Sequence, residues 1–254
     1  MLKKSLIAVL LILMAACKNQ EGDRRLTIAV AANMQYAMEE IATAFTEQTG
    51  TPCDLIVGSS GKLTAQIVEG APFDVLVSAD MKYPETLSEK GLTETEPEVY
   101  AYGSLVLWTL NDSLDLSLTL LRAPEIRHIA LANPKTAPYG EAAREVLQHY
   151  GIYEQVKDKL VFGESIAQTN QFITSGAAEV GFTALSVVLS PRMEGRGQWI
   201  SPDPASYRPI SQGLVVVDQG SGPNTNALAF RDFVFSPVAT GILAKFGYST
   251  DEQF

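Results

Sequence analysis

From Leu26 onward, short apolar runs alternate with stretches of helical periodicity, and this alternation limits the fold more than any other feature of the chain. LTIAVAA reads as a strand, and Met34, Met38, Ile41 and Phe45 follow at helical spacing with Glu39, Glu40 and Glu47 mostly turned away. DLIVG is a second strand, and GKLTAQIVEG is a helix with Leu63 and Ile67 one turn apart. DVLVSAD is a third strand, and YPETLSEKGL carries a helix that ends at Gly91. Strands that alternate with helices predict βαβ units, an α/β class and a mostly parallel sheet. Ligands in such sheets bind at the carboxyl ends of the strands. The loops AAN, GSSG and SAD all follow strands, so they are expected to open on one rim.

YGSLVLWTL reads as a crossing strand, after which the pattern restarts with IRHIALANP, YGEAAREVLQHYG, KLVFGES, IAQTNQFITSG and EVGFTAL. A polar, proline-marked stretch follows, then the apolar GLVVVDQG and helical sequence from Asn224 to Phe246. Two α/β lobes with the chain passing between them twice fit this order better than one sheet. The expected division is 26–103 with 213–254 for the first lobe and 104–212 for the second, with hinges near Gly103 and Gly213.

Ahead of the lobes, Lys3 and Lys4 precede an uncharged run, SLIAVLLILMAA, and then Cys17. A basic start, a short apolar core and small residues before the break read as a secretory signal over 1–16. The run is shorter than the ~20 residues that a membrane-spanning helix needs. Met14-Ala15-Ala16-Cys17 resembles a bacterial lipobox, with Met14 where that motif prefers Leu. The resemblance implies a diacylated Cys17, a tether over 17–25 and attachment to the outer face of the membrane. An ordinary signal peptide cut near Ala16 is the alternative.

Cys53 is the only other cysteine. With Cys17 lipidated no intramolecular disulfide forms, and Cys53 reads as a small apolar residue rather than a reactive thiol. The chain carries 19 Lys+Arg and 29 Asp+Glu; without Lys3 and Lys4 the balance is 17 against 29, or −12. Such a charge disfavours nucleic acid and anionic lipid as partners.

GSSGK is not a phosphate-binding P-loop, because Ile56 stands at the first glycine position and Leu63 follows the lysine. It is not a nucleophile elbow, because Lys62 replaces the second glycine. Ser59-x-x-Lys62 matches the S-x-x-K of serine acyl-transfer enzymes, but there is no Ser-Asp-Asn, and Lys135-Thr136-Ala137 only approximates K-T-G. The two histidines, His128 and His149, show no metal-ligand spacing, and His149 suits a helix C-terminus. What remains is a set of helix N-termini, which are anion sites by virtue of their unpaired N–H groups and partial charge. Asn33 and Ser60 are N-cap residue types placed after strands, and Tyr139 and Ile166 occupy matching junctions in the second half.

LTIAVAANM, the IVGSSGKLTAQIVEGAPFDVLVSAD block, LANPKTAPYGEAA and GFTAL together resemble the molybdate-binding proteins of bacterial ABC transporters, from about Leu26 to Tyr248. The resemblance implies a type II periplasmic-binding-protein fold, each lobe a mostly parallel sheet flanked by helices. It implies a monomer that carries molybdate or tungstate in the interlobe cleft to a permease, with no cofactor. Carried over by position, Asn33 and Ser60 supply side-chain and backbone donors, Tyr139 and Ile166 supply backbone N–H groups, and Ala32 adds another. These groups touch oxyanion oxygens and are not direct metal ligands. Some relatives have serine at the Asn33 position and a tyrosine hydroxyl at the position of Ala184; this chain resembles the variant with Asn and Tyr139. On this reading, Asn33→Ala with Ser60→Ala abolishes binding and leaves the stability of the unliganded protein nearly unchanged. A different tetrahedral oxyanion, such as sulfate or phosphate, is the alternative ligand.

Overall fold

The computed structural model describes residues 25–251. The signal segment 1–16, Cys17 and most of the tether lie outside the described residues.

The first strand, β1 (Leu26–Ala31), is buried at all but one position, as a strand covered on both faces must be. It pairs in parallel with β2 (Cys53–Gly58) and with β3 (Val75–Val77). Between β1 and β2 runs helix α1 (Gln35–Thr49). The expected stripe of Met34, Met38, Ile41 and Phe45 is fully buried, and Phe45 meets Phe230 and Phe233 edge-on at 5.2 and 5.5 Å. The helix stops where Gly50 takes a left-handed φ of 77° and returns its N–H to the Thr46 carbonyl. Helices α2 (Ser60–Val68) and α3 (Lys82–Glu89) follow β2 and β3.

The expected crossing strand is two strands, β4 (Glu98–Gly103) and β5 (Leu105–Thr109), which belong to different sheets. The second half contains β6 (Ile129–Ala132), α4 (Pro138–His149), the short α5 (Tyr153–Val156), β7 (Leu160–Gly163), α6 (Ile166–Thr174), β8 (Val180–Ala184), the short α7 (Leu185–Val188) and β9 (Gln198–Ile200). The chain then returns through β10 (Ile210–Val216) and closes with α8 (Thr225–Val234) and α9 (Pro237–Lys245).

The two sheets are laid out alike, in the orders β2-β1-β3-β10-β4 and β7-β6-β8-β5-β9. In each, four strands point one way and the fourth in order is reversed: β10 in the first, β5 in the second. Each reversed strand is the one by which the chain arrives from the other sheet. The fold is thus α/β with two mixed sheets, and the strand ends that carry AAN and GSSG face those that carry ANPKTAPYG and FGES.

The second crossing lies earlier than expected. Ile210, Ser211 and Gln212 already pair with Gly103, Tyr102 and Ala101, so the link between sheets spans 201–209. Gly213 sits inside β10 at a bulge, where an added Cβ would press on the Asp80 carbonyl, Met81 and Pro84. It is glycine because α3 crosses close above the strand, and it lies within the sheet rather than at a hinge. Gly103 does stand at the first crossing.

Candidate functional site

A small cavity of about 10 Å³ lies where the two rims meet. Asn33, Ser60, Tyr139 and Ile166 all line it, as do Ala32 and Ser59. The structure thus brings together four positions that are far apart in sequence, two from each lobe. Among the described residues, no charged side chain lines the cavity.

Each lining segment follows a strand of its sheet. Ala32–Met34 is a single helical turn between β1 and α1, and Ser60 is the first residue of α2. Tyr139 follows Pro138 in the first turn of α4, and Ile166 opens α6. First-turn N–H groups have no carbonyl four residues back, so all four segments carry amides free of intrahelical partners. Small residues let the chains come this close. A Cβ on Gly140 would overlap the Ala132 carbonyl, and one on Gly61 would lie 2.7 Å from the Tyr83 hydroxyl.

The side chains at these positions differ from the capping expected of them. Ser60 is not an N-cap; Ser59 holds that position. The Ser60 hydroxyl oxygen accepts the Ala79 N–H at 3.0 Å, which fixes a lone pair on the sheet side and leaves its proton for the cavity. Ser59 Oγ is buried with no partner among the described residues. Asn33 caps no helix either. Its amide nitrogen donates to Gln212 Oε1 at 2.8 Å and to the Tyr248 hydroxyl at 3.0 Å, so both amide protons are used inside the protein. Asn33→Ala would leave Gln212 Oε1 buried without its donor and would lower stability, contrary to the expectation that the unliganded protein is unaffected.

The Tyr139 side chain turns away from the rim. Its hydroxyl lies against Gly103, at the first crossing, and burial holds it well above the usual phenol range. The Tyr248 hydroxyl is nearby, but among the described residues the Tyr139 hydroxyl makes no hydrogen bond of good geometry. Tyr139 therefore offers the cavity its backbone. Ala184 is buried at the end of β8 and brings no hydroxyl; Ser186, two residues on, donates to the Asn33 carbonyl at 2.7 Å.

The lobes touch directly around the cavity. Gly61 N–H donates to the Thr136 carbonyl at 3.0 Å, and Lys62 Nζ meets Glu164 Oε1 at 2.7 Å. Lys62 is thus paired across the cleft and does not face Ser59, which leaves S-x-x-K without its dyad. His149 ends α4 as expected, and His128 Nδ1 lies 3.8 Å from Glu179. Cys53 is half-buried, and burial pushes its thiol up to about 11, away from reactivity. Sequence reasoning missed Gln212, Ser186 and Tyr248. Only Gln212 carried a signal, a polar residue directly before the apolar run GLVVV.

Comparison with known proteins agrees with this architecture. The model of the bacterial extracellular solute-binding protein family matches residues 26–249. The molybdate-binding protein ModA of Rhodobacter capsulatus is 40% identical over 224 residues, 88% of this chain and 87% of that protein. ModA of Azotobacter vinelandii is 39% identical over 236 residues, 92% of each chain. The solved structure of the Azotobacter vinelandii periplasmic molybdate-binding protein superposes with a TM-score of 0.83 at 35% identity, covering 88% of this chain and 98% of that one.

Fold and family match together define an extracellular solute-binding protein of the bacterial kind, built as two lobes. Within that class, the chain belongs to the ModA family of molybdate-binding proteins.

Proposed function

We propose that this protein captures molybdate, and tungstate with similar affinity, between its lobes and delivers it to an ABC permease. The observation that carries the reading is a cavity rimmed by helix N-termini and by a serine hydroxyl whose oxygen already accepts a backbone N–H, with no charged side chain among the described residues. A dehydrated dianion must recover its hydration through several donors at once. One helix terminus contributes about 0.3–1 kcal/mol when exposed and up to ~2 kcal/mol when partly buried, so only convergence of several holds the ion. The donors are the Ser60 hydroxyl and backbone N–H groups of Asn33, Tyr139 and Ile166, with Ala32 adding another. An acidic protein can bind an anion in this way because local dipoles set the site, while net charge sets only the distant field.

The same donors discriminate. Hydrogen phosphate carries a proton that needs an acceptor, and a ring of donors leaves it unpaired. Sulfate has no such proton and is rejected by size, since rigid helix ends from two closed lobes cannot all reach a smaller ion. The reading invokes no cofactor and no chemical step, and one copy of the chain suffices. Export by the 1–16 segment and diacylation of Cys17 would hold the protein beside its permease.

A thermal-shift panel of molybdate, tungstate, sulfate, phosphate and a β-lactam tests the reading. The true ligand raises Tm in proportion to RT ln(1 + [L]/Kd). Molybdate and tungstate are expected to give the large shifts. A large shift with sulfate or phosphate alone would move the assignment to another oxyanion, and one with the β-lactam would restore acyl transfer.

A further inference from the structure

Asn33 sits at the centre of a buried hydrogen-bond ring whose members come from both lobes. Its amide nitrogen donates to the Tyr248 hydroxyl at 3.0 Å. The Tyr248 hydroxyl lies 3.0 Å from Ser186 Oγ, and Ser186 Oγ lies 2.7 Å from the Asn33 carbonyl. The second amide proton goes to Gln212 Oε1 at 2.8 Å, and Gln212 Nε2 donates in turn to the carbonyls of Ile210 and Ala79 at 3.2 and 3.4 Å.

Each proton of the cluster has an acceptor within reach, and the Tyr248 proton has two, Ser186 Oγ and the Asn33 backbone carbonyl, both at 3.0 Å. Asn33 and Gln212 each have two amide protons, and Ser186 and Tyr248 one each. Asn33 gives one to Tyr248 and one to Gln212, Tyr248 gives its own to Ser186 or to the Asn33 backbone carbonyl, and Ser186 gives its own to that same carbonyl. Gln212 spends both on carbonyls. With either acceptor for Tyr248, both Asn33 amide protons stay engaged, so the cluster holds Asn33 in one orientation. Asn33, Tyr248 and Gln212 belong to the first lobe, whereas Ser186 is in α7, at the end of a strand of the second. With its amide protons and carbonyl engaged, Asn33 has one donor left for the cavity, its backbone N–H. Through Ala79 the ring also reaches Ser60, because the Ala79 N–H fixes the Ser60 hydroxyl.

We propose that Ser186 and Tyr248 are positioning residues of the ion site, clamping Asn33 to the second lobe so that the bonds closing the lobes also aim the Asn33 N–H. Neither residue lines the cavity. Their effect is expected in retention of the ion rather than in its capture, since the clamp exists only after closure. The inference rests on the oxyanion reading above.

Stopped-flow kinetics with molybdate on wild type, Ser186→Ala, Tyr248→Phe and the double variant test it. In Ser186→Ala, the dissociation rate is expected to rise ten- to hundredfold while the association rate changes less than threefold. The Tm of the unliganded variant should stay within a degree or two of wild type, because both partners of Ser186 lie on the opposite lobe. The double variant should lose little beyond the larger single effect, as members of one ring do. A Ser186→Ala dissociation rate equal to wild type would overturn the proposal. So would an unliganded Tm that falls as far as the liganded one, which would mark Ser186 as merely structural. A wild type that fails to bind molybdate would instead overturn the oxyanion reading, and the clamp with it.

Discussion

The Tyr139 hydroxyl rests against Gly103, so that a Cβ at position 103 would overlap it. The residue that lends its backbone to the cavity thereby touches, through its side chain, the crossing between the sheets. Gly103→Ala is expected to obstruct the closed form and weaken ion binding at least tenfold, about 1.4 kcal/mol or more. Tyr139→Phe removes the overlapping oxygen and leaves the backbone N–H in place. It is expected to bind like wild type and to melt no lower, since it deletes a buried hydroxyl without a partner. The Gly103→Ala/Tyr139→Phe pair should regain part of the lost affinity, measured by calorimetry.

On the proposed oxyanion reading, the Ser60 hydroxyl is a side-chain donor to the ion. Ser60→Ala deletes a hydrogen bond to a charged group, about 1.5–3 kcal/mol, or roughly ten- to hundredfold in Kd. Calorimetric titration should show that loss, with a smaller change in the Tm of the unliganded protein than of the complex. Full affinity in this variant would remove Ser60 from the site.

Lys62 and Glu164 bridge the cleft at 2.7 Å, but both side chains are at least half exposed. Exposed pairs contribute about 0–1 kcal/mol, and salt screens them. Lys62→Ala is expected to weaken binding less than about fivefold at low salt, with the difference fading as salt is raised. A loss of several orders of magnitude would give Lys62 a chemical role.

How much of this was legible beforehand follows from what each feature depends on. The α1 stripe through Met34 and Phe45 is a local pattern, and the structure buries it as read. The division of YGSLVLWTL at Ser104 was not legible, because both halves are apolar and only pairing with different sheets separates them. Ser60 and Asn33 were rightly placed at strand ends. Their side-chain partners, Ala79, Gln212 and Tyr248, come from strands and termini brought near only by the completed fold. Gly213 misled for a related reason: a glycine beside an apolar run marks either a hinge or a close crossing, and here α3 lies above it.

Asp80 ends the SAD loop half-buried, and burial raises its carboxyl to about 6, with Ser78, the Tyr83 amide and Lys82 opposing the shift. A carboxyl raised on folding binds more protons folded than unfolded, so stability falls as pH rises from its ordinary 3.8 to about 6. Asp80→Asn keeps an acceptor for the Tyr83 amide and removes the buried charge. It is expected to melt with wild type below pH 4 and above wild type at pH 7; equal melting at both values would contradict the burial argument.

The central claim is that a ring of donors, closed around a small cavity, selects a large tetrahedral dianion. Isothermal titration of the folded protein at neutral pH tests it most directly. Molybdate and tungstate should bind one per chain with similar Kd, and sulfate and phosphate at least about a hundredfold more weakly, some 2.7 kcal/mol. Sulfate or phosphate binding as tightly as molybdate would contradict the account.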